Sequence, residues 1–253
     1  MKKWLIRIVV VVVVLVVVAA AAVLMSLDRI VKKGVETAGP MITKVDVRLD
    51  KVSISLAGNA QLRGLFVGNP PGYKTESAIK VGDISVALKP RTVLEDKVVI
   101  DSVNIQSPEI TIEGGLKDNN LTKILANVNE TAGASSSGKT SETAGGEKKI
   151  VIRDLKITGA KVNLNTLLSA GQTVTLNIPD IHLTNVGNDT AGVTSAELTR
   201  IIMNELMGKV GPVLAENVTK LGAGALGLGK DAGGEVQKGA EKLTEGIKGI
   251  FKK

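Results

Sequence analysis

Residues Val98–Ile112 read VVIDSVNIQSPEITI, and residues 150–164 read IVIRDLKITGAKVNL. At an offset of 52 the two stretches coincide without a gap: Val98, Ile100, Val103, Ile105, Ile110 and Ile112 return as Ile150, Ile152, Leu155, Ile157, Val162 and Leu164. An apolar residue at every second position marks a strand with one apolar and one wet face. The eight-residue first half of the cassette recurs three more times, as Val47, Leu49, Val52, Ile54, as Ile79, Val81, Ile84, Val86, and as Leu176, Ile178, Ile181, Leu183. This repetition predicts a mainly β, α+β protein whose antiparallel sheet is built from one kind of strand unit.

Each copy skips two residues in its middle, at Asp50-Lys51, Gly82-Asp83, Asp101-Ser102, Arg153-Asp154 and Pro179-Asp180. In an unbroken strand the skip sends the second apolar pair to the opposite face. One extra residue, a β-bulge, returns both pairs to the same face and bends the strand. The spacing therefore predicts a bulge at each spacer and a sheet curved around its apolar side, a β-groove; a strand turning the corner of a sandwich is the alternative. Ten such strands spaced about 4.8 Å apart extend only about 48 Å.

With 253 residues, 43% hydrophobic but only 2% aromatic, the chain must build its core from aliphatic side chains. The near absence of aromatic stacking platforms argues against nucleic acid as a partner, despite a net charge of +7. Lysines spread along the chain read as a solvated surface, with attraction to anionic headgroups as the sharper alternative. There is no cysteine, so a disulfide framework, thiolate chemistry and cysteine metal sites are excluded.

Residues 1–25 read as a membrane-spanning signal anchor. Ile8 to Met25 are 18 consecutive apolar positions, among them Ile8, Val9, Val10, Leu15 and Leu24, preceded by Lys2, Lys3 and Arg7. At 1.5 Å per residue they cover about 27 Å, near the thickness of a bilayer core. A cleaved signal peptide is the competing reading, through Ala19 to Ala22. An N-terminus-in anchor carries the rest of the chain out of the cytoplasm.

Downstream, a short helix is expected from Leu27 to Ala38, ending before Gly39-Pro40. Lys44–Leu56 and Ala60–Val67 then form a hairpin about Gly58-Asn59. Asn69, Pro70, Pro71 and Gly72 make a stiff surface loop, with Pro71-Gly72 at the centre of a type II turn. A helix follows at Asn120–Val128. Residues 129–149, rich in Ser, Gly and Thr, read as a flexible linker inserted between strands of one sheet, or as a boundary between two domains.

The N-terminal span, the strand pair leading into Leu65-Phe66-Val67-Gly68-Asn69-Pro70-Pro71-Gly72-Tyr73, the segment Ile79 to Leu88, Val98 to Ile112 with its Ser107-Pro108, and the helix at Asn120 to Val128 together resemble the N-terminal region of the bacterial AsmA-like family. The resemblance covers residues 1–128. It implies an envelope protein of the inner membrane, its bulk in the periplasm, with a hydrophobic β-groove akin to that of repeating β-groove lipid-transfer proteins.

Residues 26–128 thus form the AsmA-like region and 150–190 a second β repeat that continues the sheet. Residues 194–253 form a helical segment. There Thr194 and Glu197 make a capping box, and the helix is expected to break at Gly208 and Gly211-Pro212. A last amphipathic stripe, Val236 to Phe251, can dock on the sheet or lie on a membrane.

No catalytic, metal or cofactor site emerges. His182, the single histidine, falls at a polar position between Ile181 and Leu183, and Asp83, Asp154 and Asp180 lack the dense oxygen loop of a calcium site. The candidate functional surface is the apolar face: Ile79, Val81, Val98, Ile100, Val103, Ile105, Ile150, Ile152, Leu155 and Ile157. Left open, this smooth aliphatic wall shelters acyl chains, each methylene withdrawn from water being worth about 0.8 kcal/mol. Covered by helices, it is an ordinary core. Membrane lipids are the expected partner; a non-enzymatic assembly role with an envelope protein partner is the alternative.

Overall fold

The computed structural model describes residues 27–55, 57–115, 118–136, 148–165, 174–188 and 191–225. Its strands are β1 (Val47–Ile54), β2 (Asn59–Val67), β3 (Ile79–Leu88), β4 (Lys97–Gln106), β5 (Glu109–Glu113), β6 (Lys149–Thr158), β7 (Lys161–Asn165), β8 (Val174–Asn177) and β9 (Ile181–Val186). The helices are α1 (27–43), α2 (Asn120–Ser136) and α3 (Ser195–Ala225), with a 3-10 turn at Pro90–Leu94.

All nine strands join one sheet. β4 and β5 run end to end along β3, through Asp83↔Gln106 and Lys80↔Glu109, so they are two halves of one ribbon. β6 and β7 lie the same way along β4 and β5, and β9 and β8 along β6 and β7. The order is therefore six ribbons: β1, β2, β3, β4–β5, β6–β7, β8–β9. At about 4.8 Å each they span about 29 Å, well short of a ten-strand width.

The 52-residue repeat becomes a pairing register. Lys97 lies opposite Lys149, Ile105 opposite Ile157 and Glu113 opposite Asn165, every partner 52 residues on. That pairing is parallel, which corrects the all-antiparallel expectation. The two copies are joined by a crossover that includes α2, and a crossover returns the chain to the end where it began.

Because all registers are in step, residues of one kind form rows across the sheet. One row is Val52, Leu62, Ile84, Ile105, Ile157, Ile181. A second is Ile54, Ala60, Val86, Val103, Leu155, Leu183, and a third is Val47, Val67, Ile79, Ile110, Val162, Leu176. Between the first two runs the polar row Ser53, Gln61, Ser85, Asn104, Lys156, His182. Matched aliphatic neighbours on one face are the pairs that stabilise a sheet.

The spacers keep this pattern on one face by a different device from the one expected. Among the described residues a bulge that shifts register occurs only between β3 and β4, at Ala87/Leu88 opposite Asp101. Elsewhere neighbouring ribbons break together. Counting each register through its gap aligns Asp50, Gly64, Gly82, Ser107, Gly159 and Pro179 in a first line, and Asp101, Arg153 and Asn185 in a second. Gly64, Ser107 and Gly159 have φ of 64°, 47° and 62°, and Asn185 has 54°. A left-handed residue accompanies the reversal at these four positions, whereas Asp50, Gly82, Pro179, Asp101 and Arg153 sit in the lines without one. When every neighbour reverses at the same rank, faces switch while pairing stays in step. Val47 and Leu49 before the first line, and Val52 and Ile54 after it, are accordingly all buried.

Three helix expectations change. α1 continues past Gly39-Pro40 to residue 43: the Lys44 N–H donates to the Pro40 carbonyl at 2.9 Å, and Lys44, at φ 59°, ends it. Gly39 sits so close to Val47 that a Cβ would approach it to 2.7 Å. α2 extends to Ser136, into the stretch read as linker, because Ala132 is fully buried and the Thr131 hydroxyl reaches the Ile42 carbonyl. α3 starts on the expected capping box, Thr194 N–H to Glu197 Oε2 at 2.9 Å and Glu197 N–H to Thr194 Oγ1 at 3.1 Å. It then runs unbroken through Gly208 and Pro212. Met203, Leu206, Val210 and Leu214 form one buried stripe across them, and Gly208 leaves open space where the proline ring presses on the preceding turn.

No helix among the described residues is long and apolar enough to cross a membrane. The expected span at residues 1–25, most of the 129–149 linker and the stripe from Val236 to Phe251 lie outside the described residues.

The first break line makes a paired prediction. Gly64→Ala forces a side chain into a left-handed position and against the Asp50 carboxylate, whereas Gly82, one ribbon over, has open space. Gly64→Ala should lose about 1–3 kcal/mol, roughly 3–10 °C in Tm, with Gly82→Ala close to wild type in the same thermal melts.

Candidate functional site

The apolar rows on either side of the break lines form one surface, and helices lie on it. Leu121, Ile124, Val128 and Ala132 of α2 and Ala196, Met203, Leu206 and Val210 of α3 join the strand residues in the main core, while Leu27, Val31 and Val35 of α1 form a second cluster with Leu49, Val52, Ile54 and Ala60. Leu62, Leu65 and Val86 belong to the margins of both.

The ten candidate residues divide accordingly. Val81, Val103, Ile152, Leu155 and Ile157 are buried in the main core. Ile79, Val98, Ile100, Ile105 and Ile150 are half-buried. With Leu62, Val86 and Leu88, the residues Ile100, Ile105 and Ile150 form an aliphatic strip over β2, β3, β4 and β6, flanked by α1 on one side and by half-buried Leu198, Ile201 and Ile202 of α3 on the other; Val98 belongs to neither cluster. The face is therefore neither fully open nor fully sealed.

The stiff loop is bolted to the sheet by amides and one carboxylate. Asn69 Nδ2 donates to the Thr75 carbonyl and hydroxyl at 2.7 and 2.8 Å, and Asn120 Nδ2 donates to Asn69 Oδ1 at 2.7 Å. Asn120 is fully buried at the start of α2; its Oδ1 accepts the Glu113 N–H at 3.0 Å and its Nδ2 also reaches the Thr111 carbonyl at 2.8 Å. The Glu113 carboxylate in turn accepts the Lys74 and Thr75 N–H groups and the Thr75 hydroxyl at 2.7 to 2.9 Å. Pro70 and Pro71 stiffen the loop and Gly72, at φ 97°, makes its turn. The loop's chemistry is that of a clasp joining β2, β5 and α2.

The opposite face carries charged and polar side chains, apart from buried Val151, which belongs to neither apolar cluster. Arg63 pairs with Asp83 at 2.9 Å, Arg153 with Asp101 at 2.8 Å, and Asp154 with Lys156 and His182. His182 is exposed on this face, as its position in the alternation predicts. The His182 ring first and then the Lys156 ammonium hold the Asp154 carboxyl below its ordinary range. A depression of about 470 Å³ at the first break line is lined by Lys80, Asp83, Gln106, Ser107 and Glu109. Among the described residues no group of three or more His, Cys, Asp and Glu is placed to hold a metal.

One arrangement was missed in the sequence. Along α1 the Asp28 carboxylate accepts the Ile54 N–H at 2.8 Å, Glu36 accepts the Leu49 N–H at 3.1 Å, and Lys32 donates to the carbonyls of Leu49 and Asp50. These side chains satisfy outer backbone groups of β1 at Leu49, Asp50 and Ile54 and so cover that sheet edge. Their spacing, every fourth residue along one helix face, was a legible signal.

Glu113 carries a pH prediction. Desolvation raises its pKa, but the Thr75 N–H and hydroxyl and the Lys74 N–H outweigh it and hold the carboxyl below the usual glutamate range. A depressed folded pKa means that this stability is present above the ordinary glutamate value, near 4.3, and is lost as pH falls through the lower folded value. Glu113→Gln should cost about 1–2 kcal/mol at pH 7 and flatten the loss of stability below about pH 5, read by denaturant melts across pH. A comparison with curated proteins gives no match. The AsmA family profile matches residues 1–181, so the likeness extends past residue 128 through the second repeat to the start of β9, leaving α3 outside. The chain belongs to the AsmA family, a membership consistent with an envelope-associated function.

Proposed function

We propose that this protein is a non-enzymatic, single-pass inner-membrane protein whose periplasmic body shelters acyl chains of membrane lipids on the half-buried strip between α1 and α3. The observation that carries the proposal is the composition of that strip: Leu62, Val86, Leu88, Ile100, Ile105 and Ile150 are all aliphatic and only half-buried, at the margin of a completed core. Aliphatic side chains without directional polar groups bind methylenes and discriminate little among headgroups. Family membership supports the envelope setting. The 18-residue apolar run beginning at Ile8 supports the anchor. An assembly role toward another envelope protein is the second reading, favoured by the outer side of β8–β9, with which no strand pairs among the described residues.

The half-buried and buried residues separate carrier from core. Ile100→Glu places a carboxylate on the strip and should leave a folded protein that has lost lipid, whereas Ile152→Glu, 3% exposed in the wild type, should unfold the domain. Lipid contact is read by a photo-crosslinking residue in the full chain in its membrane. It should capture lipid at position 100 and not at position 104, whose asparagine lies in the polar row. Equal capture at both positions, or none at 100, contradicts the proposal.

A further inference from the structure

The two edges of the sheet are treated differently. α1 covers the outer backbone groups of β1, whereas among the described residues no strand pairs with the outer side of β8–β9. That edge has an unusual sequence: Leu176-Asn177-Ile178-Pro179, then Asp180-Ile181-His182-Leu183. Read outward from the Pro179–Asp180 bond in either direction, it gives break, apolar, polar, apolar. Thr175 and Thr184 extend the symmetry one position further.

We propose that β8–β9 pairs with β8–β9 of a second copy of this chain, about a two-fold axis at the Pro179–Asp180 bond. The rotation sets Ile178 opposite the partner's Ile181 and Leu176 opposite the partner's Leu183, so apolar rows meet apolar rows. It sets Asn177 opposite the partner's His182 and Thr175 opposite the partner's Thr184, so polar rows meet polar rows. The first break line runs on across the junction, because Pro179 meets the partner's Asp180.

Backbone chemistry fits the same axis. The Ile178 N–H donates inward to the Ala160 carbonyl at 2.9 Å. Along one ribbon of L-residues, side chains on one face have their backbone groups on one side. The apolar-face residues therefore turn their groups inward, and Thr175, Asn177, His182 and Thr184 turn theirs outward. These four are the residues the axis brings opposite one another, as pairs that exchange both hydrogen bonds. Pro179, which has no N–H, falls in the break line, where no ladder bond is needed. A closed two-fold contact of this kind buries both free edges at once and forms no open filament. The joined sheet has twelve ribbons, and its apolar rows run about 58 Å. The pairing stands whether or not the apolar face holds lipid.

The natural absence of cysteine gives a direct test. Hydrogen-bonded antiparallel partners have Cα atoms about 5.5 Å apart, within disulfide range, whereas residues 177 and 182 of one strand lie about 16 Å apart and cannot bridge internally. In the purified full chain in detergent, mild oxidation of Asn177→Cys/His182→Cys should yield a covalent dimer on a non-reducing gel. It should form roughly tenfold faster than with the out-of-register pair Asn177→Cys/Thr184→Cys. As a second variant, Thr175→Lys/Thr184→Lys puts like charges opposite each other at exposed positions. It should raise the dimer Kd by roughly tenfold in sedimentation velocity with the circular dichroism spectrum unchanged. Equal crosslinking of the two cysteine pairs, or a monomer at all concentrations, overturns the proposal, including the case in which the edge instead takes a strand from a different protein.

Discussion

The fold depends on neighbouring ribbons reversing face at the same rank. A face reversal in one strand alone would put its apolar residues in water or shift its register against both neighbours, and either outcome disrupts every row beyond it. Aligning the reversals along Asp50, Gly64, Gly82, Ser107, Gly159 and Pro179 removes that cost, since each ribbon's break is met by a break in the next. The aliphatic rows Val52 to Ile181 and Val47 to Leu176 can then lie on one surface although they sit on opposite sides of the line. The second line, through Asp101, Arg153 and Asn185, does the same for Ile100 and Ile152 relative to Val103 and Leu155, and is tied by the Arg153–Asp101 ion pair.

The helices are placed by what this surface leaves unsatisfied. α2 and α3 cover the rows at the β5–β7 and β6–β9 side. α1 covers those of β1 and β2 and, with Asp28, Lys32 and Glu36, also occupies the edge that β1 would otherwise expose. The strip between them stays half-buried because no described helix lies directly over it. Among the described residues α1 closes one edge and no strand pairs with the other, which gives the sheet a direction, from the α1 side toward β8–β9.

Much of this was legible in the residues. The 52-residue offset is local in sequence and reappears as the β4–β6 and β5–β7 register, because identical apolar spacing is what lets two ribbons pair in step. The one-face outcome at the spacers was also legible, since Val103 and Ile105 have no other way to share a core with Ile100. The device was not: a bulge and a shared break differ only in what the neighbouring strand does, and the neighbour is set by topology. Parallel pairing was hidden for the same reason, and so was α2 beyond Val128. There buried Ala132 and the Thr131 hydroxyl bond to the Ile42 carbonyl override a composition that reads as linker. Of the candidate surface, the alternation identified the face, but which residues lie under α2 and α3 depended on helix placement that periodicity does not carry.

The most direct measurement is a cysteine accessibility scan of the β6–β7 ribbon, residues 150–164, since the chain has no cysteine of its own. With aligned face reversals, thiol labelling in the folded protein is slow at positions 155, 157, 162 and 164 and fast at 153, 156 and 161, so protection passes from Ile152 to Leu155 across 153 and changes parity at 159, with Val151 slow as well. Protection that keeps a strict period of two from Ile152, with position 156 slow and position 155 fast, would contradict it.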